Sequence, residues 1–428
     1  MASRRDVAVE SVRTLGGAER AALFVLAAGA LVIPTVLGGG SDPFRMPKEL
    51  AFRAEAIVLL AIVAFWITAR RHTWTFRRRP ELIVAGAIVV WTVVTAIFST
   101  NRQLSVDSLI TVVAAVVIFI GTCLAAQTTS LVAVDVLMIA CCSNALLVIL
   151  QELLTHDHYG SVGFLGNSND VGTFLLTPAV AAIVLSVTSN GTRRRVYAAI
   201  GVLLICGIAA AGTRTAFFAL VASLLVFAVA HSRRAAVAVA ITFGIVALLI
   251  LSPATAIGRG LRKLARAATN RDYQHLFSER LLPFLAAVDM TRDHPLLGTG
   301  PGCFKYHYMA YRVGLRERYP TEWTRGWPMN WGEVHNDHLQ VASEAGLPGY
   351  ALFLLAIGAG AGIASPAKRR AGPASPEATF ARAMRWPLAT AVFVVCLAQF
   401  PLELAAPRLM LITLGALCIT WDRDDAAA

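Results

Sequence analysis

The sequence predicts an all-α polytopic membrane protein of about twelve transmembrane helices with one large hydrophilic loop. Three observations carry that reading. Hydrophobic residues fill 57% of the 428 positions and charged residues only 15%, whereas soluble domains run at about 45–50% apolar and about 25% charged. The apolar residues gather in blocks of roughly 17–24, the length an α-helix needs to cross about 30 Å of hydrocarbon. Arg and Lys concentrate in alternate connections between those blocks, the pattern of a membrane-inserted chain with a positive inner side. A soluble enzyme of several domains is excluded.

Taken in order, the spans fall at about 21–38, 54–69, 82–98, 108–126, 131–154, 171–188, 196–212, 215–231, 235–252, 347–364, 384–401 and 404–421. The first lacks a small-x-small cleavage site before a polar start, so it reads as a retained helix and not a signal peptide. Arg4, Arg5, Arg13 and Arg20 precede it. Arg77, Arg78 and Arg79 follow the second span, Arg193, Arg194 and Arg195 the sixth, Arg233 and Arg234 the eighth, and Lys368, Arg369 and Arg370 the tenth. Both termini are therefore expected in the cytoplasm, with these runs as topology determinants and no nucleic-acid site. The chain divides into an N-terminal bundle of nine spans (1–252), an outer segment (253–346) and a C-terminal bundle of three spans (347–428). All the cysteines except Cys303 fall inside apolar blocks, so neither a disulfide framework nor a Cys-based zinc site can be assembled.

Function is expected in the outer segment. Between 253 and 334 it carries twelve Arg and Lys against seven Asp and Glu, a basic surplus that runs against the usual bias of a translocated loop. Arginines suit an anionic ligand such as a diphosphate because the guanidinium fork can grip oxygens in pairs. Arg259, Arg262, Arg266, Arg280 and Arg292 are the candidates; pairing with nearby acids or lipid headgroups is the competing use. Leu281, Leu282, Leu285, Val288 and Met290 lie at helical spacing and predict an amphipathic helix over 277–293 with Ser278 as its N-cap. The helix runs into His294-Pro295-Leu296-Leu297-Gly298-Thr299-Gly300-Pro301-Gly302, a Gly- and Pro-rich turn without the Lys-Ser/Thr of a P-loop, which disfavours ATP chemistry.

Just before the tenth span stands Glu333-Val334-His335-Asn336-Asp337-His338, with Glu344 and Gly346 beyond it. A histidine at a membrane–water boundary titrates near neutrality and suits a general base. The same pair could ligate a metal with Glu333, Asp337 or Glu344, or serve only structural hydrogen bonds. Arg214 sits in a very short outer turn between two spans, a costly position unless paired, so it is a functional candidate against the alternative of snorkelling to the interface. Asn167 and Asn169, in Gly166-Asn167-Ser168-Asn169, cap the sixth span from the outer side.

Four of these segments together resemble the O-antigen ligase and polymerase superfamily. His335-Asn336 followed by nine residues and Gly346 is similar to its His-Asn-x9-Gly motif, and the run from Arg280 to His294-Pro295-Leu296 and Phe304 to its Arg…His-Pro-Leu-x-Gly-x-Gly segment. Gly166-Asn167-Ser168-Asn169 and Gly212-Thr213-Arg214-Thr215-Ala216 are similar to its Gly-Asn-x-Asn and Gly-x-Arg-x-Ala turns. The resemblance covers about 160–350. It implies a GT-C-like, metal-independent, inverting glycosyltransferase of the bacterial inner membrane with its active site in the periplasm. The implied donor is a glycan on undecaprenyl diphosphate, and the single sizeable outer loop favours a ligase acting on lipid A-core over a polymerase or a protein O-oligosaccharyltransferase. His338 departs from the family pattern, where an aromatic or aliphatic residue is common.

The diphosphate leaving group is already attached to such a donor, so no cofactor is expected. What the reaction needs is a base for the acceptor hydroxyl and cations for the departing diphosphate. His335 or His338 would supply the first, and Arg214 and Arg280 the second. Asn167, Asn169, Asn336 and Glu344 are assigned to substrate binding. A transporter or lipid flippase would also fit twelve spans, but such proteins place ionisable residues deep in several of them, and Asp135 is nearly the only one here. No pattern in the sequence speaks to oligomeric state.

Overall fold

The computed structural model describes residues 4–39, 42–69, 80–127, 130–155, 161–231, 255–324, 329–362 and 374–427, with isolated positions between 237 and 252. Among these residues every regular element is helical. The long helices of the bundle are α1 (Arg4–Val32), α2 (Arg45–Ala69), α3 (Pro80–Ile97), α4 (Arg102–Ala125), α5 (Val132–Thr155), α6 (Ser168–Thr188), α7 (Gly191–Ala211) and α8 (Arg214–His231). The outer segment follows as α9 (Ala256–Thr269), α10 (Tyr273–Leu276), α11 (Leu281–Asp293), α12 (Phe304–Arg318) and α13 (Thr321–Thr324). The chain then returns through α14 (Asp337–Gly360), α15 (Pro376–Val395) and α16 (Ala405–Ala427).

Nine of the described helices, α2 to α8, α14 and α16, are long and apolar enough to cross a membrane, which makes this a multi-pass membrane protein. Three of the twelve expected spans are not among them. The first, 21–38, falls on α1, which runs to Val32 before the chain turns, with Thr35 Oγ1 donating back to the Leu31 carbonyl at 2.7 Å; the side chains of its first residues lie outside the described ones. The ninth, 235–252, lies largely outside the described residues. The eleventh, 384–401, is displaced: α15 starts at Pro376 and stops at Val395, bringing Arg382 and Arg385 into the helix, where both pair with Asp422 of α16 at 3.0 and 2.7 Å. Charge that hydropathy excludes from a span is thus tolerated because a partner helix neutralises it.

Among the helix starts that differ from expectation by more than two turns, those of α2 and α14 are set by caps. Asp42 Oδ1 accepts the amides of Phe44 and Arg45, at 3.2 and 2.8 Å, so α2 begins at Arg45 and not near 54. Asn336 Oδ1 accepts the Leu339 amide at 3.0 Å, so α14 begins at Asp337 and not near 347. Ser278 is not the cap of α11. Ser278 and Glu279 are left-handed, with φ of 53° and 64°, and the helix starts only after them.

The bundle is organised around α6, which is buried along most of its length against α7, α8, α15 and α16. A helix apolar all round is the type that occupies such an axis. The outer segment has its own small core, in which Leu282, Ala286 and Met290 of α11 meet Phe304, Tyr308 and Leu315 of α12 and close over Val334. This core fixes the last outer residues directly above α14.

Candidate active site

Two of the sequence motifs interlock through their backbones. The Thr299 and Gly300 amides donate to the Ser343 and Glu344 carbonyls at 2.9 and 3.0 Å, and the Leu347 amide donates to the Pro295 carbonyl at 2.8 Å. Gly346 breaks α14 with φ 68° and ψ 179°, and a Cβ there would run into the Leu296 carbonyl; a Cβ on Gly298 would run into that of Glu344. The spacing from His335 to Gly346 is therefore that of one helical stretch ending where the Gly-rich turn crosses it. Glu344 completes the joint, its two oxygens accepting the Gly302 and Phe304 amides at 2.7 and 3.0 Å.

At the start of that stretch His335 is held left-handed at φ 60°, a conformation a histidine adopts at a cost. Its ring stands edge-on to Trp331 and Phe400, with centroids at 5.1 and 4.3 Å. Nδ1 is buried and has no hydrogen-bond partner among the described residues. Burial, with Arg280 and Arg45 close by, pushes the imidazole down to about 3, so the ring is neutral across the physiological range.

Two cations, Arg280 and Arg45, act on His335, and a third, Arg214, acts on Arg280. Arg280, at the start of α11, donates from Nη1 to the Ala398 carbonyl at 2.6 Å, and burial, then Arg214, lowers its guanidinium to about 10 while Asp170 opposes the shift. Arg214 opens α8 after the left-handed Gly212, and its fork bridges the outer segment, Nη2 to Ser278 Oγ at 2.6 Å and Nη1 to the Gly260 carbonyl at 3.4 Å. Arg45 opens α2 and pairs with Glu333 at 3.0 Å. Asp170, buried in the first turn of α6, lies within electrostatic reach of Arg45, Arg280 and Lys48. Burial, and then Glu333, pushes the nearby Glu403 carboxyl up.

Other residues singled out in the sequence fall elsewhere. His338 is buried in the first turn of α14, with Nε2 3.0 Å from the Phe393 carbonyl, Nδ1 3.2 Å from Tyr350 Oη, and three aromatic rings around it. Asn336 is the α14 cap, and its amide donates to the Leu397 carbonyl at 2.7 Å. Asn167 caps α6 by accepting the Asn169 amide at 2.8 Å, and Asn169 accepts from Gln399 at 3.2 Å, next to Phe400. Arg259 is paired with Glu152 of α5 at 2.8 Å. Arg292 joins Arg318 and Tyr319 around the buried Asp289. Arg262 and Arg266 lie on α9, and none of these four arginines is among the charges acting on His335. Among the described residues no three His, Cys, Asp or Glu side chains converge as a metal-ligand group.

A cavity of about 730 Å³ lies among α2, α3, α4, α14 and α16. Its outer end is polar, lined by Arg45, Lys48, Asp170, Glu333 and Glu403; further in it is apolar, lined by Ile88, Val116, Phe119, Leu352 and Leu411. Glu333 and Glu403 thus put its polar mouth beside the His335 turn. Residues 199–354, which include Arg214, Arg280, His335 and Gly346, match the family described as O-antigen ligase. The chain carries an O-antigen ligase family domain. No curated protein matches it. The family domain leaves out Arg45, Asn169, Asp170 and Phe400, which the fold brings to the same place from α2, α6 and the segment before α16. Neither Arg45 nor Asp170 stands out in the sequence; the density of ionisable residues at span ends was the available signal.

Proposed function

We propose that this chain is an O-antigen ligase, an inverting glycosyltransferase that moves a glycan from undecaprenyl diphosphate to a lipid A-core acceptor at the periplasmic face of the bacterial inner membrane. The observation that carries the reading is the neutral His335, its Nδ1 unpartnered among the described residues, beside Arg280 and Arg45, with Arg214 acting in turn on Arg280. In this reaction the acceptor hydroxyl oxygen attacks the anomeric carbon from the face opposite the diphosphate. The C–O bond to the diphosphate breaks as the new glycosidic bond forms. His335 takes the hydroxyl proton, and the arginines receive the negative charge that develops on the leaving diphosphate. Base and cations meet both charge demands, so the reading assigns no metal and no cofactor.

His338, with both nitrogens engaged inside the bundle, is assigned to holding α14 beneath His335, and Glu344 to holding the Gly-rich turn. The positive-inside distribution supports cytoplasmic termini and an outward-facing site. The apolar run of the cavity suits a lipid-borne substrate. The test is glycan transfer by purified protein supplied with lipid-linked donor, without ATP, with lipid A-core and a pilin-like protein offered side by side. Transfer to lipid A-core is expected. Transfer to the protein, or donor-on-donor elongation, would replace the ligase reading by a protein O-oligosaccharyltransferase or a polymerase, and absence of any transfer would remove the enzyme reading.

A further inference from the structure

Arg45 lies outside the motifs, yet the fold ties it through Glu333 to the turn that carries His335. The first amides of its helix are already taken by Asp42, so what α2 offers here is side-chain charge. The Arg45 guanidinium lies over the Phe400 ring at 5.6 Å from the centroid, and the His335 ring stands edge-on to the same ring at 4.3 Å. Together with Arg280 it is one of the two cations that act on His335. The carboxylates that act on Arg45 are Glu333, Asp170 and Glu403, and of these Glu333 is hydrogen-bonded to it, through a single Nη2 contact at 3.0 Å. The Arg45 side chain is 41% exposed and that of Glu333 24%, so the pair is open to water. Exposed pairs of this kind are weak and exchangeable, whereas a guanidinium can meet a diphosphate through two or more N–H donors at once.

We propose that Arg45 is a third diphosphate-binding cation, and that Glu333 is the anion it releases when the diphosphate arrives. The proposal rests on the diphosphate-donor reading above. It assigns to α2, outside the family domain, a direct part in binding, and it gives Glu333 the role of an internal competitor for the site. Donor binding would then both engage Arg45 and free the 331–336 turn that carries His335.

The experiment is calorimetric titration of the full-length protein in detergent with inorganic diphosphate, on wild type, Arg45→Gln, Glu333→Gln and Arg280→Ala. Losing a charge-assisted contact at Arg45 should weaken diphosphate binding by about ten- to a hundredfold. Glu333→Gln should instead tighten it by a few fold, a gain that a misfolded variant cannot produce, and the double variant should bind no better than Arg45→Gln alone. If Arg45 serves only to anchor the 331–336 turn, Arg45→Gln and Glu333→Gln will weaken binding alike, which overturns the proposal. Diphosphate bound by wild type and lost in Arg280→Ala but untouched in Arg45→Gln overturns it too, while leaving the donor reading intact. No binding by wild type would overturn the diphosphate reading itself, and this inference with it.

Discussion

Replacing the two histidines of the α14 turn separately should split chemistry from stability. His335→Ala removes a neutral ring whose Nδ1 has no hydrogen-bond partner among the described residues, so what it costs is the proton acceptor. General-base loss is worth about 10²–10⁴ in rate, or about 3–5.5 kcal/mol of transition-state stabilisation. The fold should tolerate the change, since the residue already pays to sit at φ 60°; His335→Gly, which adopts that conformation freely, should melt above His335→Ala by the equivalent of about 1 kcal/mol and be equally inactive. His338→Ala does the opposite. It deletes contacts to the Phe393 carbonyl and Tyr350 and leaves a hole among three aromatic rings, a loss of about 2–4 kcal/mol of stability, while turnover per folded molecule stays near wild type. Single-turnover transfer from a lipid-linked donor, normalised to folded protein by thermal melting in detergent, measures both quantities. An active His335→Ala, or a folded but dead His338→Ala, would reverse the assignment.

Arg214→Lys should lose about tenfold or more in transfer although the charge is kept, because one ammonium cannot hold Ser278 and the Gly260 carbonyl and still face a diphosphate as the fork does; full activity in the Lys variant would reduce Arg214 to an interfacial anchor. The pH profile of kcat/KM should show no acid limb between about pH 5 and 7. The sign follows from the pushed-down imidazole at about 3: the neutral, proton-accepting form persists as pH falls through the ordinary histidine range, and an acid limb near the free-histidine value would mean the base lies elsewhere. Gly346→Ala should lower the melting temperature by an amount matching about 1–3 kcal/mol from the backbone alone, with further loss from the clash at Leu296. A variant that melts with wild type would show that the two motifs do not cross as described.

Much of the architecture was legible because its causes are local. Blocks such as 132–155 and 191–211 are long, apolar and bounded by polar turns, and a hydrocarbon solvent leaves a chain of that kind little choice but helix. Legibility failed where a distant partner changed the cost of a charge or ended a helix. Arg382 and Arg385 enter α15 because Asp422 waits on α16, and the helix of His338 starts ten residues early because Asn336 caps it under the small core of the outer segment.

For the site, the sequence by itself determined which residue types were present, and that His335 and Arg214 stood at or next to span ends and Arg280 in the long hydrophilic loop. Tertiary structure alone decided which of them meet. It left Arg259 against Glu152 and Arg292 against Asp289, and it brought in Arg45, whose partner Glu333 is 288 positions away in the chain. Hydropathy and periodicity act over one or two helical turns and so can be read along the chain. The charge balance of a buried cluster depends on what several helices place within a few ångströms of one another, and only the packed bundle specifies that.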